Sequence, residues 1–413
     1  MNSRRTFLKQ MSATGTASLV ALGTPPQALF ARAAKTTAAD PDGRILVLVQ
    51  LAGGNDGLNT VIPFGNDTYH RLRPSLSFGK GEVLQLNDEL GLHPEMNGFK
   101  ELFDEGVLGI VQGVGYPNPN RSHFRSMDIW HTAKPGVVDK RDGWLGRAFD
   151  GLAGKLSGKV PAIALGTARL PLSLVSTKFT VPTVRNLRDY QLHLGSGTKA
   201  ERENRRQRMR TLANVESKGN SDLDFLRRTA VTALDTSAKI AEVITDYKPA
   251  TPYPENGLAQ RLKSVAQLIT ADLGARVYFV SLDGFDTHAE QKGAHASLMT
   301  ELSSALLAFY RDLKSHGLGS RVLTATFSEF GRTTKENGSL GTDHGAASQM
   351  FLIGDAVKAG LHGKHPSLMN FDQGDLKHHT DFRSVYTSLL EDWLHWRAEN
   401  AVGGDFKKLK LFA

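Results

Sequence analysis

The chain has 413 residues, with 50 Lys and Arg against 42 Asp and Glu, a formal charge of +8 and no cysteine. A chain this long can bury a core that needs no cross-links, so a disulfide scaffold is excluded and an oxidising compartment is merely permitted. After the first thirty-odd residues no segment offers the roughly 18 uninterrupted apolar residues of a bilayer-spanning helix, which predicts no membrane span in the mature chain.

The amino terminus carries Ser3-Arg4-Arg5-Thr6-Phe7-Leu8-Lys9, a weakly apolar stretch from Met11 to Leu22, and Ala31-Arg32-Ala33. Paired arginines, a short apolar region and a small-x-small cleavage site form a twin-arginine signal peptide over residues 1–33. A stable amphipathic helix is the other reading, and Gly15, Gly23, Pro25 and Pro26 oppose it. Cleavage before Ala34 leaves 380 residues, and losing Arg4, Arg5, Lys9 and Arg32 lowers the charge from +8 to about +4. That excess is too small to predict nucleic acid as a partner. The leader predicts the twin-arginine export machinery as a partner and a periplasmic or secreted location. Such export carries folded cargo, which hints at a metal inserted beforehand.

Short runs that are apolar on both faces follow: Ile45 to Leu51, Val107 to Val111, Ala162 to Leu165, Val277 to Leu282, Val322 to Phe327 and Met350 to Ile353. This pattern belongs to strands of a sheet covered on both sides. Leu298, Leu302, Leu306, Phe309 and Leu313 recur at helical spacing before Gly317, and Phe382, Val385, Tyr386, Leu389, Leu390 and Trp393 form a second stripe. The expectation is an α/β domain over 34–413, a mostly parallel sheet with helices on both faces. Between about 191 and 272 a charged run from Lys199 to Arg210 precedes Leu226, Val231, Leu234, Ile240 and Ile244 at helical spacing. This region reads as a helical insertion or cap, its basic run a solvated helix face or, alternatively, a substrate-facing patch.

Ligands of open parallel sheets collect beyond the carboxyl ends of the strands. Asp56 falls there on a Gly-rich turn, Ser122 at a helix start, Asp286 and His288 after the fourth run, Glu329 and Arg332 after the fifth, and Asp343 and His344 just before the sixth. Carboxylates gathered on one edge repel one another unless a cation lies among them, and Asp with His is a common set for a divalent metal. Each residue also has a simpler role open to it. Asp56 and Asp343 suit tight turns, Glu329 a helix cap, Ser122 an N-cap, and Arg121, Arg125 and Arg332 surface pairing in place of an anion fork. His123, His131, His295, His378 and His379 read as surface or internally satisfied histidines.

Asp343-His344-Gly345 with Asp286-x-His288 and a glycine-flanked Asp56 resembles the alkaline phosphatase superfamily, which includes sulfatases. The order Gly53-Gly54-Asn55-Asp56-Gly57-Leu58-Asn59, Ser122-His123, Gly284-Phe285-Asp286-Thr287-His288, Ser328-Glu329-Phe330-Gly331-Arg332-Thr333, Asp343-His344-Gly345 and Asp381-Phe382-Arg383-Ser384-Val385-Tyr386 is closer still to the exported family catalogued as domain of unknown function 1501. The resemblance implies an alkaline phosphatase-like core and hydrolysis of phosphate or sulfate esters on an anionic small molecule or polymer. It implies a divalent metal (zinc, calcium, magnesium or manganese), with Asp56, Asp343 and His344 at one position and Asp286 with His288 at a second. That pair is spaced by two here and by four in the superfamily, and only His378 and His379 could supply a late third ligand. Ser122 is the implied nucleophile, with Arg332 toward the anion. The alternative is a catalytically inactive relative acting as a periplasmic binding or structural protein.

Overall fold

The computed structural model describes residues 43–136, 141–156, 160–179, 181–187, 197–213, 247–372 and 374–413. The leader read from residues 1–33 and the helical spacing from Leu226 to Ile244 lie outside the described residues.

One nine-stranded sheet organises the chain. Its strands are β1 (Ile45–Ala52), β2 (Leu108–Gly115), β3 (Ala162–Leu165), β4 (Thr183–Val184), β5 (Val277–Asp283), β6 (Val322–Phe327), β7 (Ser348–Ile353), β8 (Gly360–His362) and β9 (Thr380–Asp381). Their order is β8-β2-β7-β6-β1-β5-β3-β4, with β9 also on β2. All six apolar runs are strands of this sheet. The unanticipated strands β4, β8 and β9 have two or three residues each, too few to show a periodicity.

β1 lies at the centre and pairs in parallel with β5 and β6, Leu48 facing Phe279 on one side and Ala325 on the other. β7 alone runs against its neighbours, antiparallel to both β2 and β6. The reversal positions the site. A segment that precedes an antiparallel strand emerges at the edge where segments following parallel strands emerge, so Asp343 and His344 reach the edge that follows β1, β5 and β6.

Alternate side chains of β1 enter two different cores, which explains a run apolar on both faces. Val47 and Val49 pack with α3 (Asn97–Asp104), α7 (Gly257–Thr270) and α8 (Gln291–Ser315). Leu46 and Leu48 pack with α4 (His123–Thr132), α5 (Trp144–Gly151) and α9 (Phe382–Ser388). The two remaining helices used below are α1 (Gly57–Thr60) and α6 (Lys199–Ala213). α8 ends at Ser315 with His316 as its C-cap, and Gly317 follows at φ 73°, the left-handed stop expected of that glycine. α9 continues through a π-helical turn over Leu389–Trp393, so the second stripe is one continuous apolar face.

Of the expected insertion over about 191–272, the described residues are 197–213 and 247–272. α6 holds the basic run, and its described side chains are largely exposed, as a solvated face would be. α7 instead buries Leu258, Leu262, Val265, Ala266 and Ile269 in the main core and belongs to the helical layer of the sheet. Its Leu and Val positions look the same in sequence whether they cover a sheet or pack within a cap.

Leu48 is fully buried between two parallel neighbours, so Leu48→Ala removes core volume where the backbone has little freedom to collapse. The expected cost is about 2–5 kcal/mol in a chemical-denaturation midpoint shift at unchanged slope.

Candidate metal centre

The loop after β1 turns through Gly53 and Gly54, both at positive φ (120° and 84°). A Cβ on Gly53 would collide with the backbone of Phe285 and Asp286, so glycine here lets the loops following β1 and β5 lie against each other. Glu329, which follows β6, is buried; its Oε1 accepts the Gly53 N–H at 2.8 Å and faces His123 Nδ1 at 3.0 Å. Three strand ends are thereby joined before any ligand is considered.

Four nitrogens converge on one oxygen, Asp286 Oδ1: Arg332 Nη2 at 2.8 Å, His288 Nε2 at 3.0 Å, His344 Nε2 at 3.1 Å and His123 Nε2 at 3.3 Å. His288 Nε2 and His344 Nε2 also face each other at 2.9 Å. Donor atoms of His123, Asp286 and His344 all lie within 4.8 Å of one another. Burial acts to raise the Asp286 pKa, but hydrogen bonds from Arg332 and His344 and the charges of Arg332 and His123 outweigh it and hold it down to about 2. The carboxylate is ionised at neutral pH and about half exposed, open to a solute.

The opposite nitrogen of each ring decides what this convergence means. His123 Nδ1 faces the Glu329 carboxylate at 3.0 Å, His288 Nδ1 the Asp343 carboxylate at 3.1 Å, and His344 Nδ1 the Arg121 carbonyl at 2.7 Å. Carbonyls and carboxylates only accept, so each Nδ1 carries a hydrogen; a neutral ring then offers Nε2 as a lone pair, and only a protonated ring donates from Nε2 to Asp286. Arg332 offsets the charge of the carboxylate, but three lone pairs turned toward that oxygen repel one another unless a proton or a metal cation lies among them. Imidazoles donating Nδ1–H to an acceptor while offering Nε2 are the usual arrangement of metal-ligating histidines. The three separations from Asp286 Oδ1 to imidazole Nε2, 3.0–3.3 Å, and the 2.9 Å between His288 Nε2 and His344 Nε2 approach the roughly 3.3 Å that tetrahedral bonds of about 2.0–2.2 Å impose. The residues present therefore fit a divalent metal held by three imidazoles and a carboxylate.

Asp56 stands apart from this cluster. It is buried on the loop before α1, its Oδ2 bonding Arg73 Nη1 at 2.6 Å and Gln291 Nε2. Burial raises its pKa, and the Arg73 charge and hydrogen bond overcome that and lower it. A buried guanidinium thus supplies the positive charge expected of a metal.

Asp343 faces the Nδ1 side of His288 and is hydrogen-bonded by Asn337 at 3.2 Å, so it orients a ring rather than meeting the Nε2 cluster. Arg332 is buried, its guanidinium donating to the carbonyls of Gly53, Gly54, Phe285 and Thr342 as well as to Asp286. It has no open face on which to fork an anion. Arg121 pairs with Asp375 at 2.5 Å and Arg125 bonds the Pro135 carbonyl at 2.5 Å. Ser122 occupies the N-cap position of α4 with its hydroxyl uninvolved in capping; it is exposed and immediately precedes His123.

His123 is the residue that sequence reasoning missed, set down as a surface or satisfied histidine; its adjacency to Ser122 was the available signal. His131 and His295 meet that description, each buried and hydrogen-bonded, His131 to Gln50 and Ser173 and His295 to Asn55. Their burial lowers both pKa values to about 4. His378 and His379 lie beside β2, where Gly115 and Gly113 make room for them.

The chain matches a family described as protein of unknown function, DUF1501, over residues 44–390. It belongs to that family. No curated protein matches it in sequence. Among solved structures it is similar to a protein of the alkaline phosphatase superfamily from Vibrio parahaemolyticus (10% identity, TM-score 0.37, covering 92% of this chain and 77% of that one). It is also similar to the PsFucS1 sulfatase from Pseudoalteromonas sp. (12% identity, TM-score 0.37, 83% and 69%). A third is the C-terminal periplasmic domain of EcEptC from Escherichia coli, in complex with zinc (10% identity, TM-score 0.38, 76% and 73%).

Replacing Asp56 by Ala leaves Arg73 buried and uncompensated, at an expected cost of about 3–5 kcal/mol at neutral pH. Because the folded-state pKa of Asp56 lies below its ordinary 3.8, its stabilisation is complete above that pH and is lost as pH falls through the folded value. Denaturation curves of Asp56→Ala and the parent should therefore converge in strong acid; a constant gap from pH 7 to pH 2 contradicts the pairing.

Proposed function

We propose that this DUF1501 protein is a periplasmic or secreted, metal-dependent hydrolase of phosphate or sulfate esters, with its metal held by His123, Asp286, His288 and His344. The observation that carries the reading is the convergence of three Nδ1-anchored imidazoles on Asp286 Oδ1. Nitrogen-rich sets favour zinc and other imidazole-binding transition metals, whereas calcium, magnesium and manganese favour oxygen, which narrows the four expected metals toward zinc. A metal bound there would supply Lewis-acid polarisation of an ester oxygen and lower the pKa of a nearby hydroxyl.

Ser122 is the proposed nucleophile. Its hydroxyl is exposed, adjoins the ligand His123 and precedes the ten-residue helix α4, whose first N–H groups favour an anion. Its Oγ would bond the phosphorus or sulfur as the bond to the alcohol oxygen breaks. The hydroxyl proton is released to solvent and the departing oxygen takes one up. Water would then cleave the serine ester, restoring Oγ–H and freeing phosphate or sulfate. Arg332, proposed from sequence beside the anion, acts here as a positioning residue through Asp286, and Asp56 and Asp343 act as supports.

The test is elemental analysis of the protein purified from the periplasm, together with a panel of phosphate and sulfate monoesters. The expected result is about one metal per chain, lost in His123→Ala, His288→Ala and His344→Ala, with affinity about 10–100-fold lower in Glu329→Ala. Ser122→Ala should retain the metal and lose ester hydrolysis. Metal-free protein that is inert and unchanged in melting temperature by added zinc overturns the reading in favour of a binding or structural protein. Bound metal that only raises the melting temperature marks a structural site.

Export through the twin-arginine machinery has its own measurement. Arg4→Lys with Arg5→Lys should leave an uncleaved precursor in the cytoplasmic fraction; undiminished periplasmic protein contradicts the leader.

A further inference from the structure

A cavity of about 400 Å³ opens at the same sheet edge as the metal centre, lined by Leu165, Arg185, Arg261, Lys263, Ser264 and Gln267 among others. Leu165 ends β3 and Arg185 follows β4, the two outermost strands, so the cavity lies beyond their carboxyl ends. Among the described residues its lining includes three cations and no acid.

Arg261 is built into place. Its Nε donates to the Gly257 carbonyl at 3.0 Å and its Nη1 to the Ser281 carbonyl near the end of β5. Its stem crosses Gly166, which has φ 73° and where a Cβ would collide with the arginine Cδ. Arg185 is exposed, and Gln260, Ser264 and Gln267 add neutral hydrogen-bonding groups from α7. A concave site with one anchored cation, two further cations and polar donors has the composition of an anion receptor.

We infer that this cavity is a second anion subsite, which takes a sulfate, phosphate or carboxylate group of a polyanionic substrate whose scissile ester lies at the metal centre. β3 and β4 stand one and two strand spacings from β5, the strand that leads to Asp286. At about 4.8 Å per spacing, anionic groups on neighbouring units of an oligomer match the lateral separation, whereas a single small ester reaches only one site. The inference rests on the proposed hydrolase reading for the scissile end only, since anion binding in the cavity needs no turnover.

The experiment therefore measures binding first, by calorimetric titration of the purified protein with dextran sulfate and with inorganic sulfate. Variants are Arg185→Gln with Lys263→Gln, both surface-reaching, and His344→Ala as a metal-centre control. Dextran sulfate affinity should fall at least tenfold in the double variant and less than threefold in His344→Ala, with circular dichroism unchanged in both. Equal affinity in the parent and the double variant, or no dextran sulfate binding by the parent, overturns the subsite whether or not any ester is hydrolysed. Where hydrolysis is found, the double variant should raise KM at least tenfold for a polyanionic ester and leave kcat and the KM of a monoester within twofold. A uniform fall in kcat on both substrates contradicts the subsite, and inert parent protein that still loses dextran sulfate affinity in the double variant rejects only the hydrolase.

Discussion

Arg332 leaves the end of β6 and turns its guanidinium inward, to the carbonyls of Gly53 and Gly54 after β1, of Phe285 after β5 and of Thr342 before β7, and to the carboxylate of Asp286. Carbonyl dipoles from three loops pointing at one buried place would repel without a cation, and each left unsatisfied would carry the full desolvation penalty of a buried acceptor. A planar fork with five N–H groups in fixed directions reaches all of them, which the single ammonium of lysine does not. The loops that carry Asp286, His288, Asp343 and His344 are thereby fixed relative to one another by the protein itself. The site is preorganised before any ligand arrives.

Strand direction supplies the second part of that geometry. Asp343 and His344 precede their strand, whereas every other site residue follows one, and only the antiparallel course of β7 gathers both kinds on one edge. A uniformly parallel sheet would have sent these two to the opposite edge. The sheet strands themselves were legible because both faces are covered, so their apolar runs are unbroken. Direction was not, because Met350 to Ile353 reads the same in either sense and pairing is a long-range property.

The candidate site was legible as a neighbourhood more than as a set of ligands. Asp56, Asp286, His288, Glu329, Asp343 and His344 are all near the predicted edge. Their division into residues that meet at Nε2 and residues that support from behind depends on contacts across hundreds of positions. Asp56 illustrates the difficulty: Arg73, seventeen residues on, has no motif of its own, yet its buried guanidinium takes the carboxylate that sequence assigned to a metal. His123 is the converse. Its one local signal is the neighbouring Ser122, and what turns the imidazole toward Asp286 is Glu329, 206 residues away.

Charge at Asp286 sets what the centre can hold. One carboxylate oxygen offers too few lone pairs for a guanidinium and three imidazole donors at once, so the four nitrogens around it are not all hydrogen-bond donors to it. The 2.9 Å approach of His288 Nε2 to His344 Nε2 adds that at least one of these two nitrogens lacks a proton. Each Nε2 carries a proton or a lone pair for a metal, never both, so protons and cations compete for the same positions. Arg332, permanently charged and buried, holds Asp286 ionised whichever of them wins. A fixed positive charge behind the carboxylate thus weakens its pull on a cation in front of it, and the three anchored imidazoles restore the affinity. The carboxylates of Glu329 and Asp343, set behind two of those rings, increase the basicity of the nitrogens that face forward.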